Sequence, residues 1–396
     1  MQRANLTFYD LGIAPKLLGV LERLKFVSPT PIQHKAIPMG IEGKDIVGIA
    51  QTGTGKTLAF GIPVLQRLAS IQGRALILVP TRELALQVDE VLQQILHPFA
   101  FRSVVMIGGA SMFHQIKALQ KHPRVLIATP GRLIDHVNQR TIQLNDVKIL
   151  VIDEADRMFD MGFAPQVERI LRSLSKERQT LLFSATMPDN IVKLATAHMK
   201  LPIHVEIAPS GTAAERVTQE VFIVKEEAKK DLLSKMLLQY RGPVLLFART
   251  KIRAKRVTRT LREMGHNAAE IHSDRSMAQR TQAMEGFRSG RYRILVATDI
   301  AARGIDVTNI ELVVNYDLPE DVENYVHRIG RTGRAGLAGH AISFATPEQG
   351  ADVRQIESLM RASLPISKHP ELAAQDFVAP ARRSFSPRRG RFRRRR

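Results

Sequence analysis

The chain has 396 residues, 44% of them hydrophobic, which is more than a single core ordinarily holds and predicts two domains with smaller appendages. It has no cysteine, which excludes a disulfide framework and a thiolate metal site; with no apolar run of bilayer length and no secretion signal in the first ten residues, a cytoplasmic chain is expected. The net charge is +20, and nine of those charges are arginines within residues 381–396, a segment without an acid, so a polyanionic partner is favoured over a tail kept for solubility.

Short apolar, β-branched runs alternate with helical patterns along the chain, the rhythm of doubly wound α/β sheets. In the first half they fall at residues 46–50, 75–79, 103–107, 125–128, 148–152 and 180–184, mostly apolar as buried parallel strands are. The first run leads into Ala50, Gln51, Thr52, Gly53, Thr54, Gly55, Lys56 and Thr57, then a helical pattern, which is the setting of a phosphate-binding loop. Gly53 and Gly55 let backbone N–H groups turn toward phosphate oxygens. Lys56 can reach the β and γ phosphates, and the Thr57 hydroxyl can ligate Mg²⁺ at a helix N-terminus. Ala50 stands where the general pattern has glycine.

The fifth run ends in Asp153, Glu154, Ala155 and Asp156. Carboxylates at the C-terminal end of a parallel strand lie on the ligand-binding edge of the sheet. Asp153 is placed to hold Mg²⁺, and Glu154 to orient and deprotonate the water that attacks the γ phosphate of ATP. Alone, these acids fit equally well a cluster stabilised by a helix dipole; the phosphate loop upstream favours the catalytic reading.

Residues 207–217 are small and polar and include Pro209 and Gly211, as a linker should. They divide the chain into an ATP-binding domain, 1–206, and a second domain, 218–370, followed by a disordered arginine-rich tail, 371–396. In the second half the apolar runs fall at 220–224, 244–247, 269–271, 294–297, 312–315 and 341–345, with one amphipathic helix after about Glu348. No second phosphate loop occurs. Residues 327–334 read HRIGRTGR instead, three arginines spaced by glycines that suit anions better than packing.

In this order, the motifs resemble those of the DEAD-box RNA helicases of superfamily 2, in a minimal bacterial form, from Phe8 to about Ala345. The resemblance implies two tandem RecA-like domains closing over one ATP. Gln33, in the stretch FVSPTPIQ at 26–33, with Phe8 upstream, looks like the family's adenine-reading element, and Lys25 stands where glycine is usual. A glutamine amide can both donate to adenine N7 and accept from its N6 amine. Ser184 and Thr186 match the coupling motif, and the residue matching His327 communicates with the acids. Arg331 is implied as the arginine finger, with Arg334 beside it on the γ phosphate, Arg303 near the nucleotide and Asp306 on the ribose. Implied RNA contacts are Pro80, Thr81, Arg82, Gly108, Gly109, Thr129, Gly131 and Arg132 in the first half, and Arg249, Thr250, Arg280 and Thr298 in the second. Ser273 and Met277 replace a usual glycine and glutamine, and Met277 cannot supply an amide's hydrogen bonds.

The expected activity is RNA-stimulated ATP hydrolysis with local opening of short duplexes, blind to sequence because phosphates and sugars are gripped. The motifs leave open an ATP-gated RNA clamp or annealing chaperone, and a DNA helicase. RNA is the expected partner of a monomeric enzyme, and the resemblance admits ribosomal or RNA-decay assemblies.

Overall fold

The computed structural model describes residues 7–50, 53–207, 217–299, 307, 309–333 and 339–378. Gln51, Thr52, Arg303, Asp306 and Arg334, most of segment 207–217, the residues from 379 onward and the side chain of Met277 lie outside the described residues.

The first half forms a seven-stranded parallel sheet from β1 (Ile46–Ile49), β2 (Arg74–Leu78), β3 (Ser103–Met106), β4 (Val125–Ala128), β5 (Val147–Ile152), β6 (Gln179–Ser184) and β7 (Ile203–Glu206), in the spatial order β3-β4-β2-β5-β6-β1-β7. Successive residues of a strand point to opposite faces, and here both faces are covered by helices. Ala75, Ile77, Ile149 and Val151 therefore enter one core, while Leu76, Leu78, Leu150 and Ile152 enter the other. Full burial of such side chains contributes about 1.5–3 kcal/mol each.

The second half forms another seven-stranded parallel sheet from β8 (Val217–Ile223), β9 (Val244–Phe247), β10 (Ala268–Ile271), β11 (Ile294–Ala297), β12 (Leu312–Asn315), β13 (Gly339–Ala345) and β14 (Ile366–Ser367). Its order, β10-β11-β9-β12-β13-β8-β14, repeats that of the first sheet strand for strand. Leu245, Phe247 and Leu295 fill one core and Val244, Leu246 and Val296 the other.

The apolar runs of the sequence are twelve of these strands. The other two, β7 and β14, are outer strands: β7 pairs only with β1, and β14 meets β8 through two residues. β7 reads IHVE with His204 and Glu206 exposed, so it carries no continuous apolar run, whereas the opposite edge strands β3 and β10 are largely buried. Because all the strands run parallel, the loops after β1, β2, β4, β5 and β6 gather on one edge of the first sheet, and those after β9, β11 and β12 on the matching edge of the second.

Candidate active site and RNA interface

After β1, the loop turns through Gly53 at φ +83° and Gly55 at φ +88°, and Gly55 caps the helix Lys56–Ser70. These are left-handed backbone conformations that glycine adopts without strain. A Cβ on Gly55 would fall 2.4 Å from Gln33 Nε2 and would displace that amide from the loop. Ala50 lies outside the left-handed region and its amide donates to Ser184 O at 2.9 Å, so alanine is tolerated where the general pattern has glycine.

Gln33 is buried, its Nε2 donates to Gly55 O at 3.0 Å, and its Oε1 accepts from Thr30 N at 2.9 Å. One N–H and one lone pair of the amide stay free for an adenine, and the residue ties the helix Pro31–Ile41 to the phosphate loop. Phe8 sits on the short 3₁₀ segment Phe8–Leu11 against that same helix, but it is only 3% exposed and belongs to the core. Lys25 has φ +60° just beyond the helix Pro15–Arg23, which explains why glycine is usual at that position.

Lys56 is buried at the start of its helix, with Thr57 beside it; Lys56 Nζ donates to Ala50 O at 3.1 Å and stands 3.8 Å from Asp153 Oδ1. Burial pushes the Asp153 carboxyl up to about 6, opposed by the Lys56 ammonium. A buried carboxylate with this tendency calls for a second cation. Among the described residues no cluster of three or more acidic or histidine side chains is poised to hold a metal alone. One carboxylate near a helix-terminal hydroxyl fits a magnesium ion that takes its other ligands from phosphates and water.

Glu154, at the N-cap of the helix Ala155–Asp160, has φ +54°, a left-handed conformation that costs a non-glycine residue about 1–3 kcal/mol. Its Oε2 accepts from Arg157 Nη1 at 2.7 Å, with both side chains buried. Burial would raise this carboxyl, but Arg157, Lys56 and Arg331 outweigh it and hold Glu154 below the usual carboxylate range. Asp156 reaches the opposite way. Its Oδ2 accepts from Ala185 N at 3.1 Å, Thr186 N at 2.9 Å and Thr186 Oγ1 at 3.0 Å, and its own amide donates to Ser184 Oγ at 3.1 Å. The ends of β5 and β6 are thus joined by hydrogen bonds.

From the second half, His327 lies on the helix Glu323–Ile329 and Arg331 two residues beyond it, with Arg331 Nε donating to His327 O at 3.2 Å. Arg331 is 3% exposed. Arg157 of the first half lines one pocket with His327, Arg328 and Arg331 of the second. Burial first, then Arg157, depresses the His327 imidazole to about 3, so it is neutral in the cleft. The acids of one sheet and the arginine of the other therefore share a site.

The residues that the resemblance assigns to RNA occupy the loops on the same edges. Buried Pro80 ends β2's loop, and Thr81 caps the helix Arg82–Leu96 by accepting from Leu84 N at 3.2 Å. The Arg82 guanidinium lies on Gly108 and Gly109 so closely that a Cβ at 109 would fall 2.2 Å from Nη1. Thr129 precedes the helix Pro130–Asn138, which carries Gly131 and Arg132, and Arg132 Nη1 donates to Ala110 O at 3.0 Å. In the second half Arg249 and Thr250 are exposed after β9, with Thr250 capping the helix Lys251–Glu263, while Thr298 is half-buried after β11. Arg280 is set apart. It is 8% exposed and its guanidinium is engaged with Glu83 of the first half.

Four side chains in these contacts escape a motif reading: Arg157 on Glu154, Glu83 on Arg280, Asp317, and Arg328. Arg328 donates to both oxygens of Asp299, at 2.5 and 2.7 Å, to Asn315 Oδ1 at 3.1 Å and to Asp317 O at 2.6 Å. The only sequence signal for these residues is a charge inside an otherwise apolar or motif segment.

Two family models match the chain, DEAD/DEAH box helicase over residues 30–194 and helicase conserved C-terminal domain over residues 228–336. The DEAD-box ATP-dependent RNA helicase CshA of Bacillus subtilis is 42% identical over 371 residues, covering 93% of this chain and 75% of the relative. Among solved structures, S. cerevisiae Dbp5 bound to RNA and ADP BeF3 superposes with a TM-score of 0.81 at 32% identity, over 92% of this chain and 96% of that one. Mss116p bound to ssRNA and AMP-PNP gives 0.85 at 28% identity, over 93% and 81%. With these models and relatives matched, and with the acids of one sheet meeting an arginine of the other, the chain belongs to the DEAD-box ATP-dependent RNA helicases.

Proposed function

We propose that ATP and RNA each bridge the two halves, residues 1–206 and 218–370, and that neither half alone holds a complete hydrolytic centre. The observation that carries this reading is the convergence of Glu154 with Arg157 on one side and His327 with Arg331 on the other. Gln33 reads the adenine, with Phe8 behind it, and Gln51, Thr52, Gly53, Thr54 and Gly55 wrap the phosphates. Lys56 leaves Ala50 O for the β and γ phosphates. Thr57 and Asp153 would hold Mg²⁺, which when bound would neutralise phosphate charge. Glu154 accepts the proton of the attacking water, and Arg331 with Arg334 neutralises charge that develops on the γ phosphate. Asp306 and Arg303 complete the nucleotide contacts.

Because both ligands favour the closed arrangement, each raises the affinity of the other, and hydrolysis releases the grip. Backbone contacts through Thr81, Arg82, Gly108, Gly109, Thr129, Arg132, Arg249, Thr250 and Thr298 suit a single strand, so closure on one strand expels its partner locally. The enzyme opens short duplexes without tracking, as a cytoplasmic monomer, and ribosomal or RNA-decay assemblies supply its substrates. The test is ATP turnover with and without RNA. Glu154→Gln retains both ligands but not turnover, and Arg331→Ala binds nucleotide yet loses a thousandfold or so in rate. Normal turnover by Arg331→Ala refutes the shared centre.

A further inference from the structure

The identical strand order of the two sheets makes their positions comparable one by one. In the first, Lys56 opens the helix after the first strand and faces Asp153, which follows the fifth strand. In the second, Lys229 opens the helix Lys229–Gln239 after β8, and its Nζ donates at 3.1 Å to Asp317 Oδ1, just beyond β12, the fifth strand of that sheet. The lysine and aspartate of a nucleotide site are thus both present in the second half. The phosphate loop between strand and lysine is not; residues 225–228 read KEEA, and Glu226 offers the lysine a carboxylate of its own. Glu226 Oε2 lies 3.1 Å from Lys229 Nζ, and its other oxygen pairs with Arg253. Where the first half leaves charge open to a ligand, the second closes it internally.

Asp317 has further partners. Its Oδ2 accepts from the backbone N–H of Arg249 at 3.0 Å, Arg253 Nη2 lies 3.1 Å from Oδ1, and its carbonyl oxygen accepts from Arg328 Nη1 at 2.6 Å. Arg249 also donates through Nη2 to the next carbonyl, Leu318 O, at 3.4 Å. Arg328 in turn grips Asp299, the neighbour of Thr298, and belongs to the helix that carries His327 and leads to Arg331. Asp317 is 5% exposed and Lys229 2%. Buried charges held on several sides have one low-energy arrangement, because any shift leaves one of them unpaired in a poor dielectric.

We propose that the Lys229–Asp317 pair, the counterpart in the second half of Lys56–Asp153, is a fixed-charge joint that locks the RNA-facing Arg249, Thr250 and Thr298 to the helix that leads to Arg331. RNA bound at those residues then sets where the arginine stands in the ATP site. Asp317 touches neither ligand and is a positioning residue. The joint rests on the roles proposed above for Arg331 and the RNA-facing groups.

The experiment measures, in the full-length chain, how much a non-hydrolysable ATP analogue tightens binding of a fluorescent single-stranded RNA. Removing one partner alone strands a buried charge, so the decisive variant is Lys229→Met/Asp317→Leu, which replaces both with apolar groups. Its ratio of RNA affinities without and with analogue falls by on the order of tenfold, while analogue affinity without RNA stays within about twofold of wild type. Lys229→Met/Asp317→Asn keeps an acceptor for the Arg249 N–H without either charge and recovers the ratio only in part; full recovery would overturn the role of the charges. A ratio undiminished in the leucine variant overturns the joint, as does equal loss in both variants, which would mark the pair as packing only. A wild-type ratio near one overturns the two-ligand closure itself and the joint with it.

Discussion

Arg280 Nε lies 2.8 Å from Glu83 Oε1, an ion pair that joins the helix Met277–Arg288 of the second half to the helix Arg82–Leu96 of the first, with side chains only 10% and 8% exposed. Burial raises the Glu83 carboxyl above its ordinary value despite Arg280, and burial likewise depresses the guanidinium, so desolvation consumes much of the attraction. The pair specifies the closed arrangement more than it stabilises it. Arg280→Ala strands Glu83 and weakens RNA-dependent closure by about 2–4 kcal/mol, whereas Glu83→Leu/Arg280→Met costs far less. A double-mutant cycle on the RNA concentration that half-saturates ATP turnover checks this; equal losses in both variants would contradict it.

Arg157 keeps Glu154 ionised in a buried site. Replacing it with methionine removes the nearest cation, so the Glu154 carboxyl rises and the acid limb of the turnover profile moves to higher pH. Because Glu154 is then protonated over more of the working range, turnover falls by about tenfold near neutrality. A lowered rate with an unmoved limb would mean that Arg157 acts only through packing.

The neutral state of His327 leads to a third expectation. With its folded value depressed to about 3, the imidazole gains its proton only below that point, and His327 adds no limb to the pH profile between about 5 and 8. His327→Gln, which keeps a neutral hydrogen-bonding group, retains turnover within about tenfold of wild type, while His327→Lys loses far more by adding charge beside Arg157 and Arg331. Steady-state rates for the two variants decide it.

Lys25 holds a left-handed backbone conformation that costs an L-residue about 1–2 kcal/mol, against about 0.5–1 kcal/mol for the extra chain freedom of glycine. Lys25→Gly is therefore stabilising by up to about 1 kcal/mol, read as a rise of a few degrees in Tm with unchanged turnover.

The sheets were legible because strands covered on both faces must be apolar throughout, as at Leu76–Ile77 or Leu245–Leu246. The phosphate loop and the acids after β5 were legible because the chemistry fixes residue type and spacing together. The individual arginines were not. Arg328 and Arg331 sit in one short motif, yet Arg328 turns into its own half onto Asp299 and Asn315 while Arg331 turns toward the cleft, a difference that follows from the helix ending at Ile329 between them. Arg280 reads like a phosphate contact until Glu83 is seen opposite it. Phe8 shows the same ambiguity, since a ring that packs in a core and a ring that stacks on a base look alike in a sequence.

Two sheets wound in the same order and built from similar apolar strands create a hazard during synthesis, when strands of one half can add to the open side of the other. The outermost strands limit it. β7 offers only four residues, with His204 and Glu206 exposed, and β14 offers two, so neither presents a long flat template to a stray chain. The short length of both strands and the exposed polar side chains of β7, which hid them from a pattern reader, are the same features that make their edges poor templates for pairing.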